Sequence, residues 1–416
     1  MTSGSYRAVF HVAEFRPVFV AHLLSVLGLV VAEISLTVLV YRLTGSPLMS
    51  ALTFALGFLP YMLGGTLLAP LADRYPARRV LVVCDLVCAA CAAAMVLPGT
   101  PVAALLVLRC ALAVVAPLFQ GTRNASLADI LGPGEAYVLG RSLLRMVAQS
   151  AQLTGFGLGG VLLVFVPPRG ALALTAAGFL ASALLLRFGT RRRPARAAGA
   201  GRTSPLAGLR AVLGHRRIRA LTLMFWLPSL FTVVPEALMT PYAEDVGAGT
   251  AVLGLLMCAM PVGTIAGELW AGSALSARSR SRIVAPFAVA GTLPLLGYAL
   301  RPGTAVLLVL LVLTGLAHAH TLGLDQWYVD AVPEELRGRA MTLLSTGLMT
   351  AQGTGMALAG LAAEFLPLHL VVAGAGALGA VCVLLLLAEL RAAGRSGPLP
   401  ASEVVGPRSE TGLTAK

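Results

Sequence analysis

The chain has 416 residues, of which 57% are hydrophobic and only 12% are charged, and its mean hydropathy is +0.86. This composition excludes a soluble protein, because no soluble domain of this length could bury so much apolar surface. The net charge of +13 would indicate a nucleic-acid partner in a soluble chain. Here the arginines flank apolar runs, so we expect a lipid bilayer around the chain and no nucleic acid.

Long apolar runs predict an all-α integral membrane protein, because barrel strands would alternate apolar and polar residues instead. The first run is too long for a signal peptide and lacks a small-residue cleavage site, so we expect it to stay as the first helix. We predict twelve membrane helices, six per half, over residues 18–41, 50–72, 80–97, 102–120, 141–166, 170–188, 219–241, 250–273, 283–300, 303–323, 341–364 and 368–390.

Basic residues are concentrated on one side of these helices. Of the 31, only Arg42, Arg169 and Arg301 fall in loops on the opposite side, and Arg109 and Arg145 lie within spans. Because cytoplasmic loops carry the excess of basic residues, both termini are predicted to be cytoplasmic. The predicted segments are a cytoplasmic lead (1–17), a six-helix bundle (18–188), a cytoplasmic linker (189–218), a second six-helix bundle (219–390) and a disordered cytoplasmic tail (391–416).

Several classes of site are absent from the sequence. The only lysine is Lys416, so no phosphate-binding P-loop exists, and neither HExxH nor GxSxG occurs. The six cysteines all fall within predicted helices, without disulfide or metal spacing. We therefore expect no enzyme activity, no cofactor and no metal, and any work must be driven by a gradient.

Two charged residues lie inside the first and fourth predicted helices. Glu33 comes nine residues before Arg42, and Arg109 comes eight residues after Pro101, so both lie at a similar depth in the outer half. Charge at that depth is costly unless it is paired or faces a cavity. We predict that Glu33 and Arg109 pair; the alternative is that each faces water in the cavity separately.

The loop after the second helix contains Asp73, Arg74, Arg78 and Arg79, and it resembles the Gly-x-x-x-Asp-Arg-x-Gly-Arg-Arg-Arg loop of the major facilitator superfamily. The resemblance implies two six-helix bundles related by a pseudo-two-fold axis along the membrane normal, with the substrate site at the midplane between them. It also implies that this loop latches the bundles together on the cytoplasmic side, although arginines here are also explained by topology alone. Arg109 looks similar to an arginine in the family's fourth helix.

The fifth helix belongs to a stretch that the chain repeats. Ser142–Pro167 recurs as Thr342–Pro367 in a gap-free register, which indicates an internal duplication. The first copy is similar to the Gly-Pro-x-x-Gly-Gly signature of exporters, with Phe156 in place of the proline, and the loop from Arg123 to Leu131 is similar to the macrolide-efflux and enterobactin-exporter branch. This resemblance implies export, while close helix packing is the alternative role of its glycines, Gly155, Gly157, Gly159 and Gly160.

The linker and the seventh helix follow. Ser204-Pro205 and leucines at helical spacing predict a short amphipathic helix within residues 189–218. In the seventh helix, Pro228 and Pro235 each remove a backbone hydrogen bond and should kink or break it.

The two halves each place a glutamate 17 residues into their first helix, since an offset of 203 maps Glu33 onto Glu236. No basic residue of the second half lies at the depth of Glu236, so burial should favour its neutral form. We predict that Glu236 carries the transported proton; the alternative is a glutamate in water at the outer mouth. His318 and His320 in the tenth helix are either a proton relay or packing residues.

These patterns and the resemblance together predict a monomeric secondary transporter in the plasma membrane. It would export an amphipathic small molecule, such as a drug, antibiotic or siderophore-like compound, by alternating access against an inward flow of protons. The alternatives are a proton-coupled importer or facilitator, or a non-transporting receptor or lipid-handling protein on the same scaffold.

Overall fold

A computed structural model of the chain describes residues 6–68, 71, 74–132, 135–191, 193 and 214–394. Asp73, the predicted linker helix after Ser204 and the tail beyond Gly394 lie outside the described residues. Every secondary-structure element of the described part is helical: α1 (Tyr6–His11), α2 (Phe15–Thr44), α3 (Pro47–Phe58), α4 (Tyr61–Leu67), α5 (Ala77–Val96), α6 (Val102–Leu131), α7 (Glu135–Phe165), α8 (Pro168–Gly189), α9 (Arg216–Thr232), α10 (Val234–Asp245), α11 (Thr250–Ala274), α12 (Ala277–Ala290), a 3₁₀ helix (Leu293–Leu300), α13 (Thr304–Ala317), α14 (His320–Ala331), α15 (Glu334–Ala363) and α16 (Leu368–Gly394).

Eleven helices of the described chain are long and apolar enough to cross a membrane. The predicted span 341–364 lies within α15 except for Glu364, and α15 is continuous over 30 residues but is not among those eleven. Serine, threonine, glutamine and glycine residues make α15 less apolar than its neighbours. Multi-pass helical architecture is therefore confirmed, while the count of twelve stays a prediction.

Local sequence sets where these helices begin and end. Helix α2 ends at Gly45, whose φ of 63° places it in the left-handed region that glycine adopts without strain. The next helix begins at once, because the Ser46 hydroxyl accepts a hydrogen bond from Met49 N and Pro47 occupies the first helical position. Two membrane helices are thus joined by a turn of only two residues.

Three membrane segments of the second half are interrupted, and one of them divides into α12 and the 3₁₀ helix at Gly291–Thr292. The predicted seventh helix divides into α9 and α10 at Val233, two residues before Pro235, as the proline predicted. Pro228 instead lies inside α9 without ending it. The predicted tenth helix divides into α13 and α14 at His318–Ala319. The sequence did not predict this break, because no proline lies near it.

The ends of the helices define two faces of the bundle. We call one the terminal face, because it carries the described chain ends and two ion pairs: Glu14 with Arg193, at 2.5 Å, and Arg216 with Glu389, at 2.6 Å. Burial raises the pKa of Glu14, but hydrogen bonds and charge from Arg193 and Arg191 outweigh it and hold that pKa below its usual range. The opposite end, which carries Ser46, is the far face.

The two halves share one apolar core toward the far face. Its largest cluster joins Ile34 and Phe54 of the first half to Leu238, Leu256 and Met356 of the second. Other clusters belong to a single half, such as the one around Leu105 and Phe179. Contact between the halves is therefore made where α3 packs on α10 and α15, where α2 meets α10, and where α7 packs on α11.

Candidate functional site

The charged residues of α2 and α6 form a buried ion pair. Arg109 Nη2 donates to Glu33 Oε1 at 2.5 Å, and Arg109 Nε donates to the Thr53 carbonyl at 3.3 Å. Their side chains are only 4% and 13% exposed, so each charge has the other as its compensation. The predicted pairing is confirmed. Gly57 of α3 passes beside the guanidinium, where a Cβ would overlap it.

Glu236 occupies the first turn of α10, directly after the break at Val233. Among the described residues no hydrogen-bond donor contacts its carboxyl. The side chain is partly accessible because it lines an internal cavity. Glu236 therefore lies in the interior, facing a space that a small molecule or water can enter.

That cavity has a volume of about 190 Å³ and is bounded by both halves. Gln152 of α7 and Gln352 of α15, which are the same position of the duplicated stretch, both line it. The apolar wall is rich in methionine, an adaptable side chain that accommodates ligands of different shape. Glu236 and His318 are the ionisable residues of this wall; its methionines are Met239, Met257 and Met260.

The two histidines of the predicted relay lie at the break between α13 and α14. His318 Nδ1 lies 3.0 Å from the Thr314 carbonyl, and His320 Nδ1 lies 2.8 Å from the Ala317 carbonyl. Since a carbonyl can only accept, both Nδ1 atoms carry the hydrogen, and each Nε2 is free to accept. The ring centroids are 6.2 Å apart, and His318 is the one that lines the cavity.

The glycines of α7 let helices approach closely in two directions. A Cβ on Gly155 would lie 2.8 Å from Val30 of α2, within the same half. A Cβ on Gly160 would lie 2.5 Å from the Gly254 Cα of α11, across the interface between the halves. A Cβ on Gly157 or Gly159 would meet only side chains, at 3.3 Å from Cys258 Sγ and 3.4 Å from Ile34 Cδ1 respectively.

The repeated copy in α15 makes matching contacts. Gly355 packs on the Leu230 backbone within its own half, and a Cβ on Gly360 would lie 2.6 Å from Ala51 Cβ of the other half. Glu364 adds a polar contact, accepting hydrogen bonds from Ser46 Oγ at 2.5 Å and Leu48 N at 3.1 Å. Because Gly160 and Gly360 both lie toward the far face, the two halves are sealed together there.

The described arginines of the predicted latch contact only the first half. Arg78 Nη1 donates to the Thr190 carbonyl at 2.9 Å, and the Arg79 guanidinium lies 5.6 Å from the Tyr75 ring centroid. Arg74 is exposed. With Asp73 outside the described residues, the latch role of these four residues stays a prediction.

Sequence reasoning missed a buried polar network in the first half. Asp85 of α5 accepts hydrogen bonds from Ser25 at 3.0 Å and Ser182 at 2.5 Å, which ties α2, α5 and α8 together. Nearby, Arg123 contacts His22 Nδ1, and His22 Nε2 donates to a backbone carbonyl of α7. Asp85 was visible as an acid inside a predicted span, but Arg123 was not, because α6 continues eleven residues past the predicted end.

Comparison with known proteins agrees with this architecture. The family model of the Major Facilitator Superfamily matches residues 18–236 and 229–414. No curated protein sequence matches the chain.

Among solved structures, a mutant of the nucleoside transporter NupG is 16% identical with a TM-score of 0.67, over 90% of this chain and 99% of that one. A bacterial homolog of the human lysosomal transporter Spinster, inward-facing and occupied, is 15% identical with a TM-score of 0.66, over 95% and 98%. A structure of a proton dependent oligopeptide transporter is 14% identical with a TM-score of 0.66, over 92% and 99%. These likenesses show the fold, and the family match shows the class of protein. The chain therefore belongs to the Major Facilitator Superfamily and is a multi-pass membrane transporter, not an enzyme.

Proposed function

We propose that this transporter is proton-coupled and exports an amphipathic small molecule by alternating access. The observation that carries the proposal is Glu236, an interior carboxyl that lines the cavity between the halves without a basic partner among the described residues. A carrier must load and release a proton in the interior, and a carboxyl held without a counter-ion can do both. The proton dependence of an oligopeptide transporter with the same fold supports the coupling.

The two glutamates of the site have different roles in this mechanism. Glu33 is compensated by Arg109 and stays paired in the first half, so its role is structural. Among the described residues Glu236 has no such partner, so no counter-ion holds it permanently ionised. A substrate that brings a donor or a positive charge into the cavity would favour the ionised form instead. Proton release and substrate binding are thereby linked through one side chain.

The remaining wall suits an amphipathic substrate. The paired amides of Gln152 and Gln352 offer donors and acceptors from both halves, and the methionines offer apolar surface without fixed shape. None of the lining residues is an arginine, so an anionic substrate would meet only the carboxyl of Glu236 and neutral groups. We therefore expect neutral or cationic amphiphiles to be preferred over anions.

Export as the direction rests on the resemblance of α7 and of residues 123–131, which form the end of α6 and not the predicted loop, to the exporter branch. The orientation rests on the bias of the arginines, which makes the terminal face cytoplasmic. In that orientation the glycine contacts at Gly160 and Gly360 seal the outer side. The described conformation would then load substrate from the cytoplasm and release it after the far face opens.

The test begins with a drug-susceptibility panel on cells that express the chain, with and without an uncoupler. An exported compound should give resistance that disappears when the gradient collapses. With that compound, Glu236→Gln should abolish proton-driven flux in vesicles while counterflow persists. The matched control is Glu244→Gln, which removes an exposed acid from the end of the same helix. If Glu236→Gln still concentrates the compound with normal pH dependence, Glu236 is not the carrier.

A further inference from the structure

A crevice on the terminal face is separate from the transport cavity. It lies between the start of α5 and the end of α8 and has a volume of about 770 Å³. Four arginines and an apolar wall define this basic crevice: Arg78, Arg79, Arg187 and Arg193, with Pro76, Val82, Val83 and Leu86.

The arginines of the basic crevice are only partly compensated. Arg193 is paired with Glu14, and Arg78 donates to a backbone carbonyl. Arg79 and Arg187 are exposed and contact no acid among the described residues. The crevice thus retains positive charge that a bound anion would compensate.

The start of α5 adds a second attraction for an anion. Arg78 and Arg79 occupy its first turn, where the positive end of the helix dipole disfavours cationic side chains. Pro76 is the N-cap residue and supplies no side-chain cap, so the first backbone N–H groups are not satisfied by a capping side chain. An anion at this point would contact both the guanidinium groups and the helix N-terminus.

The apolar wall identifies which kind of anion fits. Val83 and Leu86 are 49% and 44% exposed, and they follow Arg79 at helical spacing on α5. Leu86 lies about 10 Å further along the helix than Arg79, at the rise of an α-helix. On α8, Leu184 is half exposed one turn before Arg187. A free inorganic anion would leave this apolar surface bare, whereas a lipid would cover it with an acyl chain.

We propose that the basic crevice binds an anionic phospholipid, with its headgroup phosphate between Arg79 and Arg187 and an acyl chain along Val83 and Leu86. The site is on the outside of the first bundle and does not depend on the proposed proton coupling. Basic pockets at the cytoplasmic ends of membrane helices are suited to such headgroups.

The experiment is a lipid titration of the detergent-purified full chain, read by native mass spectrometry. Phosphatidylglycerol should bind more tightly than phosphatidylcholine of the same acyl chains. Each arginine near an anionic headgroup strengthens binding about fivefold, so Arg79→Gln/Arg187→Gln should weaken phosphatidylglycerol binding about thirtyfold. The same variant should bind phosphatidylcholine as the wild type does, which also shows that it is folded.

The matched control is Arg278→Gln/Arg391→Gln, which removes two exposed arginines from corresponding helix ends of the second half. It should leave phosphatidylglycerol binding within about twofold, because the basic crevice is intact. If both variants lose phosphatidylglycerol affinity equally, the lipid is attracted by the positive charge of the whole terminal face, and the proposed site is wrong. Displacement of phosphatidylglycerol by millimolar inorganic phosphate would also overturn it, because the acyl chain would then contribute nothing.

Discussion

The close contact between Gly160 and Gly254 makes a quantitative prediction about alternating access. In Gly160→Ala the new Cβ would lie 2.5 Å from Gly254 Cα and 2.8 Å from both Gly254 N and the Thr250 carbonyl oxygen. All three are backbone atoms, so no side chain can rotate away, and α7 and α11 must separate by roughly 1 Å to restore ordinary contact. Overpacking of this kind costs about 1–3 kcal/mol.

That cost falls on the conformation with a sealed far face, because the contact is absent once the halves separate there. A difference of 1–3 kcal/mol shifts the equilibrium between two conformations about 5- to 150-fold. Gly160→Ala should therefore favour the far-face-open conformation. Gly272→Ala is the matched control, since Gly272 lies near the end of the same α11 and an added Cβ meets nothing within 4 Å.

Cys258 offers the assay. Its Sγ donates to the Leu153 carbonyl at 3.2 Å, inside the contact between α7 and α11. In a variant that keeps Cys258 as its only cysteine, a membrane-impermeant maleimide added from the far face should react at least about five times faster in Gly160→Ala than in the parent. Gly272→Ala should react at the parent rate. An unchanged rate in a folded Gly160→Ala protein would refute the argument that backbone contact holds the far face closed.

Three further predictions concern polar contacts. Glu33→Gln should lower the free energy of unfolding by about 3–5 kcal/mol, measured as a lower thermal unfolding temperature, because Arg109 stays buried without its partner. The double variant Glu33→Gln/Arg109→Gln should recover part of that stability. No recovery would mean that the two residues are not coupled. The pKa of Glu14 is lowered in the folded protein, so its ion pair should stabilise the fold above pH 4.5. The difference in unfolding free energy between wild type and Glu14→Gln should decrease as the pH drops below 4.5. A difference that does not change with pH would contradict this. Glu364→Ala should destabilise the conformation with a sealed far face by about 1 kcal/mol, because Ser46 Oγ and Leu48 N lose their acceptor. The same maleimide reaction at Cys258 should therefore be faster.

Features that depend on the depth of a residue in the membrane could be predicted from the sequence. Glu33 and Arg109 could be paired because distance from a loop along a helix gives the height of a side chain in the membrane. The same reasoning predicted that the glutamates of both halves lie at one level. The break at Val233 followed from the missing backbone donor of Pro235.

Features that depend on rotation about the helix axis were not predictable. The bonds of Asp85 to Ser25 and Ser182 require three helices to turn their polar sides toward one another. Lipid is as apolar as a leucine side chain, so hydropathy along a membrane helix does not indicate which side faces its neighbours. The break at His318 was missed for a related reason: it has no proline, and it depends on how α13 packs.

The interruption at His318 also makes the two walls of the transport pathway mechanically unequal. In the first half the corresponding helix, α6, runs for 30 residues without a break, whereas its counterpart divides into α13 and α14 beside the cavity. A continuous helix resists bending, while a break lets its two parts tilt separately. We therefore expect α6 to hold Arg109 at a fixed height beside Glu33. The second half would be the adjustable wall, which sets the range of substrate sizes that the transporter can enclose.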